Sequence, residues 1–228
     1  MVDSTLSWKK FAEGQTPSTV TLDNIFYEKV SAGSKVLDFG CAWGRVSFEL
    51  QEKGYNVLGF DINEAEIERA KRFAEESNKK YEAQVEFDVA NALNLPYEDN
   101  SFDACLMQAF MTTIIDPLHR EKVLDEAKRI LKPNGILYMG EFGQTWENPR
   151  YKGRYEAHFP ATKERGTFIV TEDGTPDTPE LYRAHHYTEE ELKGLLEPRY
   201  KIELFKKTIF TSYHGNKANG FIVIARKI

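Results

Sequence analysis

Short apolar runs alternate with longer stretches whose apolar positions recur at helical spacing through most of the first 142 residues. Leu22, Ile25, Phe26 and Val30 have the helical period, and Ser31-Ala32-Gly33-Ser34 ends that element. Val36 to Phe39 reads as a buried strand, followed by a glycine-bearing turn and a helix starting near Gly44. Gly54 suits the left-handed cap of that helix. A second strand, Asn56 to Phe60, ends at Asp61, and Asn63 with Glu66 opens a capped helix through Ile67, Ala70, Phe73 and Ala74. Val85 to Val89 and Phe102 to Met107 are the third and fourth strands. Pro117 to Leu131 is a helix with Val123, Leu124, Ala127 and Ile130 at core spacing, stopped by Lys132-Pro133-Asn134-Gly135. Ile136 to Phe142 is the fifth strand. This strand–helix rhythm specifies a parallel sheet.

The rhythm breaks at Gly143. From there to Tyr187 the chain is rich in aromatic, basic and turn residues, too long for a connection and too aromatic for disorder. It reads as a cap inserted after the fifth strand. Thr188-Glu189-Glu190-Glu191-Leu192 opens another helix, and Tyr200 to Phe210 and Gly220 to Arg226 form a closing antiparallel pair. The polar start, residues 1–21 with Gly14 and Pro17, reads as an arm or lid whose large apolar residues are Trp8 and Phe11. The expected organisation is one domain over 1–228: arm and helix 1–33, core 34–142, insertion 143–187, closing helix and strands 188–228.

Composition narrows the partners. The net charge is −6, with basic and acidic residues interleaved and no basic stripe, which argues against nucleic acid. Two cysteines make no disulfide framework and fit a reducing cytoplasm. No signal peptide and no run of about 20 apolar residues is visible, so no membrane partner is expected.

The turn after the first strand carries the chemistry. Gly40 and Gly44 leave bare main chain against which a ligand can lie, at a helix start whose N–H groups are unpaired. A dinucleotide fingerprint fails, because Ala42 replaces its second glycine and Arg45 its third. Asp38 would repel a pyrophosphate but suits an ammonium. S-adenosylmethionine has an amine, a carboxylate, an adenosine and a sulfonium, and no phosphate. Asp61, about 20 residues beyond Gly40, is placed to accept from both ribose hydroxyls. Ile62 is expected against the adenine.

Val36-Leu37-Asp38-Phe39-Gly40-Cys41-Ala42-Trp43-Gly44 resembles motif I of the class I S-adenosylmethionine-dependent methyltransferases, and Leu95 to Asp103 and Leu131 to Gly135 resemble two further runs of that family. Locally the motifs are similar to the quinone-biosynthesis-type branch. The resemblance implies an α/β fold: a doubly wound Rossmann-like sheet, mostly parallel with an antiparallel last strand, helices on both faces. It implies a cofactor site from Asp38, Gly40, Cys41, Ala42, Gly44, Asp61, Ile62, Ala90, Asn91, Ala92 and Gln108, with Asn91 accepting from the adenine amine. The implied activity is methyl transfer to O, N or C of a small-molecule acceptor, giving S-adenosylhomocysteine. The N/D-P-P-Y/F run of nucleobase and glutamine methyltransferases is missing at Met107-Gln108-Ala109-Phe110.

If the reaction needs a base, the candidates are His158, His185 and His186, the side chains best poised near neutral pH. Adjacent histidines diverge, and no carboxylate stands at ligand spacing, so no metal is expected. Glu141 is expected near a docked acceptor, and Arg154 and Arg165 suit a carboxylate or phosphate on it. Trp43 either roofs the site or plugs the surface. The alternative activity is a non-catalytic cofactor-binding or regulatory domain, with a nicotinamide oxidoreductase more distant. Monomer and homodimer both fit.

Overall fold

The computed structural model describes residues 4–14, 20–171, 178–211 and 215–228. At its centre lies β1 (Lys35–Phe39), buried at every position after Lys35. β2 (Asn56–Asp61) flanks it in parallel on one side and β4 (Phe102–Gln108) on the other, so Phe39 stands between Phe60 and Met107. β3 (Val85–Val89) extends the sheet beyond β2, and β5 (Leu131–Phe142) extends it beyond β4. Next to β5, β9 (Lys217–Lys227) runs antiparallel and pairs in turn with β8 (Tyr200–Thr211). The seven-stranded order is β3-β2-β1-β4-β5-β9-β8, the expected doubly wound α/β sheet, mostly parallel with an antiparallel last strand. The order reverses between β1 and β4, and a crevice opens there at the carboxyl ends of the strands.

Alternating side chains of β1 feed two cores. Val36 faces α1 (Ile25–Lys29), α2 (Arg45–Glu52) and α3 (Glu64–Lys80), packing with Phe26, Leu50 and Ile67. Leu37 faces α4 (Pro117–Ile130) and α6 (Glu189–Leu196), packing with Val123, Leu124, Leu192 and Leu196. Each such fully buried side chain contributes about 1.5–3 kcal/mol. The helix-stopping run 132–135 lies within the bounds of β5. There Asn134 takes φ 64° and the pairing shifts register between Phe102 and Ala104, so the turn becomes an irregularity in the strand.

Beyond β5, Gly143 bridges to Tyr187, so the segment between them leaves and rejoins the sheet at one place. It holds α5 (Pro149–Thr162) and an antiparallel pair, β6 (Thr167–Thr171) with β7 (Glu180–His185). The amino-terminal residues Ser4–Lys10 form a 3-10 helix. Its Trp8 ring sits 4.6 Å from the Tyr182 ring of β7. Asn63 Nδ2 donates to the carbonyls of Trp8 and Phe11, at 3.0 Å each, and ties the arm beside β2. Residues 1–3 and 15–19 of the expected arm, Pro17 among them, lie outside the described residues. Among the described residues, no helix is long and apolar enough to cross a membrane.

Candidate functional site

The turn leaving β1 uses the left-handed conformation repeatedly, at Gly40 (φ 65°), Ala42 (φ 48°) and Gly44 (φ 89°). A Cβ on Gly40 would stand 2.5 Å from the Phe110 ring, and one on Gly44 2.5 Å from the Phe87 ring. Ala42 is held in that costly conformation by its N–H, which donates to Asp61 Oδ2 at 2.9 Å. Asp61 Oδ1 accepts from the N–H of Asn63 at 2.9 Å, so one carboxylate pins both the turn and the start of α3. Burial raises its pKa, while those N–H donors pull the other way. Gly40, Ala42, Asp61, Ile62, Ala90, Asn91, Ala92 and Gln108 all line one large cavity. The Asn91 oxygen already accepts from Leu93 N–H at 3.0 Å, which leaves it one lone pair for a ligand.

A smaller cleft opens beside it, lined by Val20, Asp38, Gly40, Cys41, Arg45 and Gln108. Asp38 Oδ2 accepts from Ser47 Oγ at 2.7 Å. Burial pushes this carboxyl up to about 7, against the Ser47 hydrogen bond and the nearby Arg45 charge. The Cys41 thiol is buried beside Gly59 and donates to the Ala42 carbonyl at 3.4 Å, so it is turned away from a ligand in the cleft. Gln108 lies where both spaces meet, with its amide nitrogen and oxygen buried and without a hydrogen-bond partner among the described residues. Unpartnered buried amide atoms are costly, and a polar ligand there would satisfy both. Carboxylates, an unsatisfied amide and no phosphate cradle fit an adenosyl amino acid. Gly44 touches neither space and serves the turn alone.

Away from the glycine turn the cavity has an aromatic wall of Phe142, Tyr151, Phe168, Tyr182 and His186, with Trp8 packed on Tyr182. His186 stacks on Phe142 at 5.2 Å and 12°. Its Nδ1 lies 2.8 Å from the Tyr155 hydroxyl, whose oxygen also receives the N–H of Thr145 at 3.3 Å. The buried hydroxyl hydrogen is satisfied only by donating to Nδ1, which puts the imidazole proton on Nε2. Burial lowers the His186 pKa to about 3, so the ring is neutral and its Nε2–H is a donor.

The other two expected catalytic histidines are not at the cavity. His158 Nδ1 accepts from Ile169 N–H at 3.1 Å and fastens α5 to β6. His185 points the opposite way from its neighbour, contacting Thr167 Oγ1 at 2.7 Å and Glu191 Oε1 at 2.9 Å. Folding thus brings Glu164, His185 and Glu191 together, with ligand atoms within 4.8 Å, which sequence spacing did not reveal. Arg120 already meets both carboxylates, Glu164 at 2.6 Å and Glu191 at 3.2 Å, making this an ion-pair network. Glu141 is likewise committed: it accepts from the N–H groups of Phe110, Met111 and Thr112 and is fully buried. Trp43 lies against Phe73 and Arg69, off the cavity, and Arg165 lies over Trp146. Sequence reasoning did not place Trp8 or Thr112 in the site; a lone tryptophan in a polar arm was the one available signal.

Residues 30–196 match the model of a methyltransferase domain family. The solved structure of an S-adenosylmethionine-dependent methyltransferase from Methanosarcina mazei is 40% identical, with a TM-score of 0.86 over 92% of this chain and 99% of that one. A demethylmenaquinone methyltransferase from Clavibacter sepedonicus is 26% identical over 198 residues, 86% of this chain and 74% of the relative. A Burkholderia thailandensis 1,6-didemethyltoxoflavin-N1-methyltransferase, solved with 1,6-didemethyltoxoflavin and S-adenosylhomocysteine, shares the fold at 17% identity and a TM-score of 0.64, over 89% of this chain and 75% of that one. With a phosphate-free turn, paired carboxylates and these relatives, the chain belongs to the class I S-adenosylmethionine-dependent methyltransferases, and S-adenosylmethionine is its methyl donor.

Proposed function

We propose that this enzyme methylates O, N or C of a small molecule seated between the glycine turn and the aromatic wall. The observation that carries this reading is the cavity itself. It is continuous from Asp61 to His186 and roofed by Trp8 and Tyr182, which suits a compact acceptor better than a polymer. In this reading Asp61 holds the ribose, and Ile62 and the 90–92 backbone hold the base. Asp38, Arg45 and Gln108 take the amino-acid end. Bound there, the cofactor supplies a methyl group already activated on its sulfonium.

The chain's own contribution is then alignment and exclusion of water, and alignment of two reactants lowers a barrier by about 7–11 kcal/mol. His186, a fixed N–H donor, positions the acceptor and does not remove its proton. Free, buried thiols at Cys41 and Cys105 support a cytoplasmic location.

The test is release of S-adenosylhomocysteine from separate panels of small molecules, proteins and nucleic acids. Product from small molecules is expected; product only from a macromolecule overturns the reading. Asp61→Ala should weaken S-adenosylhomocysteine binding by about 10- to 100-fold in calorimetry, since a charge-assisted grip and the turn geometry go together.

A further inference from the structure

Arg154, on α5, lines the acceptor side of the cavity with its guanidinium over the face of Phe168, 5.1 Å from the ring centroid. Most other arginines of the chain meet a carboxylate, among them Arg72, Arg120, Arg129, Arg183, Arg199 and Arg226. Arg154 has no such partner among the described residues. Among the described residues, Glu156 of α5 faces Lys152 and Glu180 of β7 pairs with Arg183. Half-burying a guanidinium without a counter-charge costs free energy, and its lowered pKa records that desolvation. His186 packs edge-on against the same Phe168 ring, 5.0 Å between centroids, and offers a second donor. The same cavity wall presents the flat ring faces of Phe142, Tyr151 and Tyr182.

From Arg154, which meets no carboxylate among the described residues, and the Nε2–H of His186, both against the Phe168 ring inside an aromatic cavity, we infer that the methyl acceptor is a planar organic acid whose carboxylate docks there. A guanidinium presents parallel N–H groups that match a carboxylate, and the ring walls take the planar body of the acid. The carboxylate supplies the counter-charge that Arg154 lacks among the described residues, so recognition and selectivity arise from one residue. This inference rests on the small-molecule reading above and narrows it to a substrate class.

The experiment uses matched probes that differ only in charge: 2-naphthoate against 2-naphthamide, and indole-3-carboxylate against indole-3-carboxamide. Each is titrated calorimetrically into the full chain saturated with S-adenosylhomocysteine. At least one acid should bind about tenfold or more tightly than its amide in the wild type. Arg154→Met should bring that preference below about twofold, and Arg154→Lys should leave an intermediate one, because it keeps the charge and loses the fork. S-adenosylhomocysteine affinity, measured in the same samples, should be unchanged in both variants, which reports a folded protein. Equal binding of acid and amide, no binding of either acid, or a preference that survives Arg154→Met overturns the inference. Product formed from neutral small molecules alongside such a result would leave the broader reading standing, whereas product only from macromolecules would remove both.

Discussion

Asp38 and Ser47 share a proton-bearing contact at the floor of the smaller cleft, and desolvation moves the carboxyl from 3.8 to about 7. Between those values the folded chain keeps a proton that the unfolded chain has released, so this group makes the ligand-free protein less stable as pH rises from about 4 to about 7. With the cofactor's ammonium placed against Asp38 as proposed, binding follows the opposite sense, because the ammonium favours the ionised form. Calorimetry with S-adenosylhomocysteine should show affinity weakening by up to about tenfold as pH falls from about 8 to about 6, with the trend flattened in Asp38→Asn. At this scale the sequence was readable where a residue's place in a strand fixes its neighbours. Asp61 follows a hydrophobic run and had to emerge at the strand end. Which of His185 and His186 faces the cavity was not readable, because it depends on the pairing of Thr167 with His185 across a hairpin.

The elements around the cavity are joined through Arg120, which is only 2% exposed. Its Nε and Nη2 donate to the carbonyls of Ile114 and Ile115, while its remaining contacts reach Glu164 before β6 and Glu191 on α6. Arg120→Met should strand these carboxylates and lower stability by about 3–5 kcal/mol in urea denaturation. Hydrogen exchange should accelerate first in β6 and β7. The run of aromatic and turn residues between Gly143 and Tyr187 marked an insertion, yet α5 and its hairpin were not legible as elements. Their side chains answer to a cavity wall, so the helical and alternating periods are blurred. The core elements were legible for the converse reason: sheet and helix faces there obey one burial pattern each.

At the scale of the molecule, the cavity is closed by segments from opposite ends of the core, Trp8 before it and Tyr182 after it. Trp8→Ala should raise the dissociation rate of S-adenosylhomocysteine about tenfold in stopped-flow measurements. The urea midpoint should move little, since Trp8 belongs to neither main core. The mostly parallel, doubly wound sheet with its antiparallel last strand was legible because strand–helix–strand crossovers permit few arrangements. The arm's place was not, because no local pattern says which distant surface a polar segment will cover. A last consequence comes from Gly140, which faces Gln108 across β4 and β5 and has no room for a Cβ. Any side chain at 140 would collide with the very amide that awaits a ligand. A residue with a Cβ at 140 would therefore swing the Gln108 amide out of the place where the two spaces meet, so the size of the residue at 140 decides whether that amide can reach a ligand.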